Sequence, residues 1–213
     1  MYQVLASDDL VRETRHRVKN SLQLLASMLS AQVRQSRDPA LTAGLRSAIS
    51  RIVATAHLHE HLAEHAYQQV DAADYLRDIC NDLEILAAAA PDRVAVRLTA
   101  EHAVLDGPDA LALGLSVNEL VTNALRHAYP EGGGVVAVSF GRSEDRFVLT
   151  VTDGGVGCAA AAEGLGLTFV RALTRKIRGE VTVTECSPGT QVRIEFIGSQ
   201  EAGGARREAA GAS

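Results

Sequence analysis

GPDALALGLSVNELVTNALRHAYP, residues 107–130, reads as one helix. Gly107-Pro108 opens it, because proline suits the first helical turn, and Pro130 closes it, because its ring clashes with the turn before. Glu119, Asn123 and His127 are spaced by fours and so line one face, with Arg126 beside them. A carboxylate, an amide oxygen and two cationic side chains on one face are suited to a hydrated Mg²⁺ and the phosphates it bridges. Mg²⁺ takes one or two protein ligands plus phosphate oxygens and water, which is about what this face offers. The spacing is equally that of a solvated polar face, and the helix alone does not separate the two.

The residues downstream add weight to the first alternative. Val148–Val151 reads as a strand, and Asp153-Gly154-Gly155-Val156-Gly157 follows at once. Glycines at a strand's end allow a ligand to approach the backbone, and a carboxylate there can accept a hydrogen bond from an exocyclic amine such as adenine's. Gly164-Leu165-Gly166-Leu167 then leads into a helix expected over 165–178, whose N-terminal N–H groups suit phosphate. The spacing is neither a P-loop nor a Rossmann fingerprint. Two glycine turns flanking a short loop, after a polar helix face, are a stronger signal than either turn alone.

Around this centre the pattern is α/β. Asp71 is expected to cap a helix running to about Leu86. Strands are expected at 93–99, 135–140, 147–151, 181–185 and 191–196, with GRSED and SPG as turns. The reading is helices on one face of a mixed sheet. Before Val70 the periodicity is helical throughout. Val11, Val18, Leu22, Leu25, Leu29 and Val33 form one stripe on a helix from about Asp8 to Gln35. Asp38-Pro39 restarts a second helix, with Leu41, Leu45, Ile49, Ile52, Ala56, His59 and Ala63 on its stripe, ending near His65. One αα-hairpin covers two such stripes poorly, so a homodimer forming a four-helix bundle is expected.

His16 stands two positions from Val18, roughly 200° around the helix, among Arg12, Glu13, Lys19, Asn20 and Gln23. A histidine on that wholly polar stripe has no packing role; it is either a solvated surface residue or a functional one. His57, His61 and His65 share a face at spacing four, but Glu60 and Glu64 interrupt them and no cysteine lies near. They are read as no metal site, and His59 as a bundle-core histidine.

Composition bounds the rest. Of 213 residues, 46% are hydrophobic and 22% charged, an ordinary globular balance. A net charge of −5 gives no electrostatic case for nucleic-acid binding. No apolar run approaches the roughly 20 residues that span a bilayer, and MYQVLASDDL has no secretory pattern, so neither membrane nor export is expected. Cys80, Cys158 and Cys186 form no CxxC and fit a reducing cytoplasm. The expected divisions are a helical hairpin at 1–68, an α/β domain at 69–197 and a disordered tail at 198–213.

The order HRVKN, NELVTNALRHA, DGGVG, GLGL and PGTQVRIEF resembles bacterial two-component sensor histidine kinases, most closely the HWE/HisKA_2 branch. HRVKNSLQLLASMLSAQ looks like that branch's phosphoacceptor helix, RIVATAHLHEHL like its second helix, and VDAADYLRDI like the entry to the catalytic domain. The C-terminal half resembles the GHKL (Bergerat) ATP-binding fold, and the likeness covers about Leu10 to Phe196. It implies that His16 is the phosphorylated residue, with Glu13 and Asn20 one helical turn either side to orient its ring. It implies an N-box containing Glu119, with Asn123 as the Mg²⁺ ligand and Arg126 and His127 near the phosphates of ATP. Asp153 would bind the adenine amine in a pocket shaped by Gly155 and Gly157, with the Thr190 hydroxyl nearby. Gly164 and Gly166 would flank the triphosphate.

The implied reaction is autophosphorylation by ATP, then transfer to an aspartate on a response-regulator receiver domain. The His helix begins within about ten residues of the start, so either the input comes from a separate sensor protein or the chain is a fragment. The segment CAAAAE between the two glycine turns carries no cation, so ADP and ATP are expected to bind alike, at roughly tens of micromolar or weaker. Alternatives are a histidine phosphotransferase or phosphatase of the same fold, an anti-sigma-factor Ser/Thr kinase, or a scaffold.

Overall fold

Two antiparallel helices open the chain, α1 (Tyr2–Gln35) and α2 (Pro39–Glu64). The structure is a computed structural model that describes residues 2–64, 69–88, 94–157 and 165–198. Side chains are described from Arg17 onward, apart from 39, 43 and 60–64. Asp38 caps α2, its Oδ1 accepting from the N–H of Ala40 at 2.9 Å and of Leu41 at 3.3 Å. The first helix begins nearer the N-terminus than the expected Asp8. The tail beyond 198 lies outside the described residues.

The sheet layer follows as β1 (Gln69–Asp71), α3 (Ala72–Ala88), β2 (Val94–Ala100), β3 (Val104–Asp106) and α4 (Gly107–His127). It continues with β4 (Gly134–Ser143), β5 (Arg146–Asp153), α5 (Leu165–Lys176), β6 (Glu180–Glu185) and β7 (Thr190–Phe196). The main sheet has the order β2-β4-β5-β7-β6; β2 and β4 are parallel and the other pairs antiparallel. Alternation along β4 buries Val136, Val138 and Phe140 and exposes Val135, Ala137 and Ser139. Leu149, Val151, Ile194 and Phe196 are buried with them, in one core that also takes in side chains of α3, α4 and α5. The expected mixed sheet with helices on one face is the observed architecture. The small antiparallel sheet of β1 and β3 was not legible, because three-residue strands show no period.

Caps fix where the helices begin. Asp106 accepts from the N–H of Asp109 at 2.9 Å and so starts α4 ahead of Pro108. Asp71 caps α3 through Oδ1, accepting from Ala73 at 2.8 Å and Asp74 at 3.1 Å, while its Oδ2 meets His102 Nδ1 at 3.0 Å.

The hairpin does not stand apart from this layer. Ser47, Arg51, Ala54 and Leu58 follow one another by fours and threes, a second stripe on α2 beside the expected one. Ala54 and Leu58 are buried in the same core as the sheet. Tyr75 of α3 donates its hydroxyl to Ala54 O at 3.1 Å, and its ring lies where a side chain on α4 would stand, a place left open by Gly114. His57 Nε2 meets Asp82 Oδ2 of α3 at 2.7 Å. Toward α1, Ala56 lines a groove with Leu22 and Ala26.

No helix among the described residues is long and apolar enough to cross a membrane. Cys80 and Cys186 are free thiols, and burial, then the charge of Glu84, push Cys80 up to about 12. Cys158 lies outside the described residues.

The Asp71–His102 pair makes stability depend on pH. Burial by itself would raise the Asp71 carboxyl; the bonds from His102, Asp74 and Ala73 outweigh it and hold the group below its ordinary 3.8. The hydrogen bond to Asp71, then that residue's charge, raises His102 above its ordinary 6.5. The His102 contribution is full below 6.5 and lost as pH rises through the folded value; the Asp71 contribution is full above 3.8 and lost as pH falls. Wild type should therefore exceed His102→Ala in urea stability most clearly around pH 5–6, with the gap shrinking above neutrality. A gap independent of pH would contradict this.

Candidate functional site

α4 presents one face to three neighbours. Glu119 is only 5% exposed. Its Oε1 accepts from Arg51 Nε of α2 at 2.7 Å and from Ser47 Oγ at 3.3 Å. A buried carboxylate needs such partners, because desolvation without them costs several kcal/mol. One turn on, Asn123 is half-buried and faces the start of α5. A Cβ placed on Gly166 would stand 2.6 Å from Asn123 Nδ2 and 3.3 Å from Glu119 Oε2. Glu119, Asn123 and Gly166 thus converge, and only a residue without a side chain lets α5 approach so closely.

The second part of the site lies at the end of β5. Asp153 and Thr190 are direct cross-strand partners of β5 and β7, so two residues far apart in sequence meet. Asp153 Oδ1 accepts from Gly155 N–H at 3.1 Å, which fixes the carboxylate's orientation. The loop is then stitched to α4, with Val156 N–H donating to Ala128 O at 2.9 Å. Tyr129 donates to Val135 O at 2.6 Å and accepts from Gly154 N–H at 2.9 Å. Gly189, with φ +104°, and Gly157, with φ +80°, bring the 188–190 turn against this loop. α4 therefore connects both parts: Asn123 meets Gly166, and Ala128 holds the Asp153 loop.

The structure brings together Glu119, Asn123 and Gly166, and separately Asp153, Gly155, Gly157 and Thr190. Arg126 and His127 are exposed in the last turn of α4. Asn20 is exposed on α1. Glu13 and His16 lie in α1, and their side chains fall outside those described. Gly164 and the loop 158–163 lie outside the described residues. Of the expected histidine face, His57 is engaged with Asp82, the side chain of His61 falls outside those described, and His65 lies outside the described residues. Sequence reasoning missed Tyr129, Ser47 and Arg51. Tyr129 had a faint signal in its place before Pro130. The other two had none beyond helical spacing, since their partner is a remote buried carboxylate.

The donor set fits a nucleotide with its metal. An amide oxygen beside a carboxylate matches what a hydrated Mg²⁺ takes from a protein. At 166 the missing side chain leaves the start of α5 open beside Asn123 and Glu119, while at 155 it lets the loop pack on the backbone of α4. Among the described residues a possible metal-ligating cluster lies elsewhere, at Asp71, Asp74 and His102. Asp71 is engaged there in capping α3, and Asp74 pairs with Arg77.

The sequence matches two family models, one for histidine kinases (HisKA_2) over residues 13–87 and one for the histidine kinase-like ATPase domain over residues 83–196. The chain belongs to the histidine kinase family. The chain is 30% identical to the sensor histidine kinase PdtaS of Mycobacterium tuberculosis over 80% of its own length and 35% of the relative's. It is 29% identical to blue-light-activated histidine kinase 2 of Erythrobacter litoralis, over 91% of the chain and 58% of that protein. It thus spans about a third to just over a half of these relatives. A solved histidine kinase domain from an Erythrobacter litoralis blue-light activated kinase superposes with TM-score 0.66 and 26% identity, covering 94% of this chain and 96% of that one.

Gly154 and Gly155 of the Asp153 loop should differ in how far they tolerate a side chain. A Cβ on Gly155 would overlap the backbone oxygen of Ala128, which cannot move aside. One on Gly154 would meet only Tyr129 Oη at 3.9 Å, an ordinary contact. Gly155→Ala should therefore lose about 1–3 kcal/mol in urea denaturation, and Gly154→Ala less than about 1. Equal losses would show that the loop is not held against α4 as described.

Proposed function

We propose that the chain is an ATP-dependent protein-histidine kinase that phosphorylates His16 and passes the phosphoryl group to an aspartate of a response-regulator receiver domain. The observation that carries this is the pairing of Asp153 with Thr190 at one end of α4 and the convergence of Glu119, Asn123 and Gly166 along it, in a chain whose family is the histidine kinases. Residues 1–68 act as phosphoacceptor hairpin and 69–197 as catalytic domain, working in the cytoplasm as a homodimer.

Each residue has a physical task in this reading. Asp153 accepts from the adenine amine, and Thr190 offers its hydroxyl beside it, within walls set by Gly155 and Gly157. Asn123 holds Mg²⁺, which neutralises phosphate charge when bound. Gly164 and Gly166 open the backbone to the phosphates, with Arg126 and His127 nearby. His16 accepts the phosphoryl group on a neutral ring nitrogen, oriented by Glu13 and Asn20. Glu119 acts from the same helix face, close to the phosphates.

Labelled ATP tests the assignment. His16→Gln should abolish acid-labile phosphorylation and leave ATP binding intact. Asp153→Ala should weaken ATP and ADP binding alike, by tenfold to a hundredfold for a lost charged hydrogen bond of about 1.5–3 kcal/mol. Undiminished label in the first variant would remove His16 as acceptor, and unchanged affinity in the second would remove the adenine role.

Exposed apolar residues on the hairpin support the dimer: Leu24 is 62% exposed, Met28 59% and Leu41 53%. Leu24 and Met28 lie one turn apart on α1. Light scattering should give a dimer mass at micromolar concentration, and Leu24→Glu with Met28→Glu a monomer. A monomeric wild type would rule the bundle out.

A further inference from the structure

The segment between the two glycine turns, CAAAAE, offers no positive charge to a triphosphate. The expectation that ADP and ATP bind alike follows from that segment taken alone. The fold brings a cation to the same corner from outside it. Arg51 of α2 donates Nε–H to Glu119 Oε1 at 2.7 Å, and its guanidinium carbon stands 4.3 Å from the centre of the Phe169 ring. Phe169 lies in the first turns of α5, one turn past Gly166. The guanidinium therefore occupies the angle between the Glu119–Asn123 face of α4 and the start of α5.

That angle needs a cation. Glu119 is a buried carboxylate whose other oxygen looks toward Gly166, so a phosphate drawn to the start of α5 would meet a like charge. Arg51 neutralises it. A guanidinium also carries five N–H donors in a fixed planar fork, and the bond to Glu119 uses Nε. Its Nη groups can meet a second anion while Nε stays on the first, which a single ammonium does poorly. Stacking on Phe169 holds the plane of that fork.

We propose that Arg51, carried by the hairpin, is a phosphate-binding residue of the nucleotide site, bridging Glu119 and the terminal phosphate of ATP. The proposal rests on the kinase reading above. The nucleotide site is then built from both halves of the chain, and ATP binding and hairpin docking strengthen each other by the same factor. ADP lacks the terminal phosphate and gains less from Arg51.

Titration calorimetry of the whole chain with Mg-ATP and Mg-ADP separates the outcomes. Arg51→Met keeps length and contact with Phe169 but removes the charge. It should weaken ATP by about tenfold or more and ADP by less than about threefold. Arg51→Lys keeps a charge without the fork and should also reduce the ATP-over-ADP preference of the wild type, which covers the case of a poorly folded Met variant. Equal changes for the two nucleotides in both variants would overturn the proposal. So would tighter ATP binding in Arg51→Met, which would make Arg51 only a latch on Glu119. Failure of the kinase reading looks different: wild type would bind neither nucleotide, or Asp153→Ala would bind both unchanged.

Discussion

A carboxylate buried in the middle of a helix fixes how the two halves of this chain meet. Glu119 sits in α4 with almost no exposure, and its charge is tolerable only with a cation against it. No residue on its own helix serves: Arg126 and His127 lie about two turns away in the exposed last turn. Arg51 and Ser47 of α2 reach it instead. Once they do, α2 is set in azimuth and height against α4. Ala54 and Leu58, on the same stripe, must then enter the core, and Tyr75 finds Ala54 O within hydrogen-bond reach. The ion pair and the apolar stripe specify the same docking, the agreement between levels expected of a well-defined native arrangement.

The sequence shows the local terms of this structure and hides the long-range ones. Asp38 and Asp71 were readable as caps because capping acts over two or three residues. The strands of the main sheet were readable because alternation is a local pattern. The N-box and glycine turns were readable because their spacing falls within one helix or one loop. Arg51 was not, for its partner lies 68 positions away and nothing in RIVATAHLHEHL marks a charge that will be buried. Nor was the second stripe of α2, since Ser47 and Arg51 are polar and a hydrophobic count passes over them. Thr190 beside Asp153 came from family resemblance; the register of β5 on β7 supplies the physical reason.

α4 is the element that makes the site a unit. Its buried face supports the sheet, its Glu119–Asn123 face meets α2 and α5, and its C-terminal end holds the Asp153 loop through Ala128 and Tyr129. The Asp153 carboxylate and the Asn123 amide are thereby spaced by one helix. Loop-built sites adapt to ligands, whereas a helix with both ends pinned selects among them.

α2 faces α1 on one side and α4 on the other. Ser47, Arg51, Ala54 and Leu58 lie on one stripe, so any rotation of α2 that re-packs it on α1 also carries Arg51 off Glu119. The alternative, Arg51 leaving while the helix stays, leaves a charge buried without its partner, at a cost of roughly 3–5 kcal/mol. The less costly route is for the helix to move as a body and for another cation to take over at Glu119. Packed helices shift between discrete seatings rather than bending continuously, because ridges and grooves interlock. A re-seating of α2 would therefore alter the Glu119–Asn123 face of α4 in the same step, because one stripe carries both the ion pair and the apolar contacts.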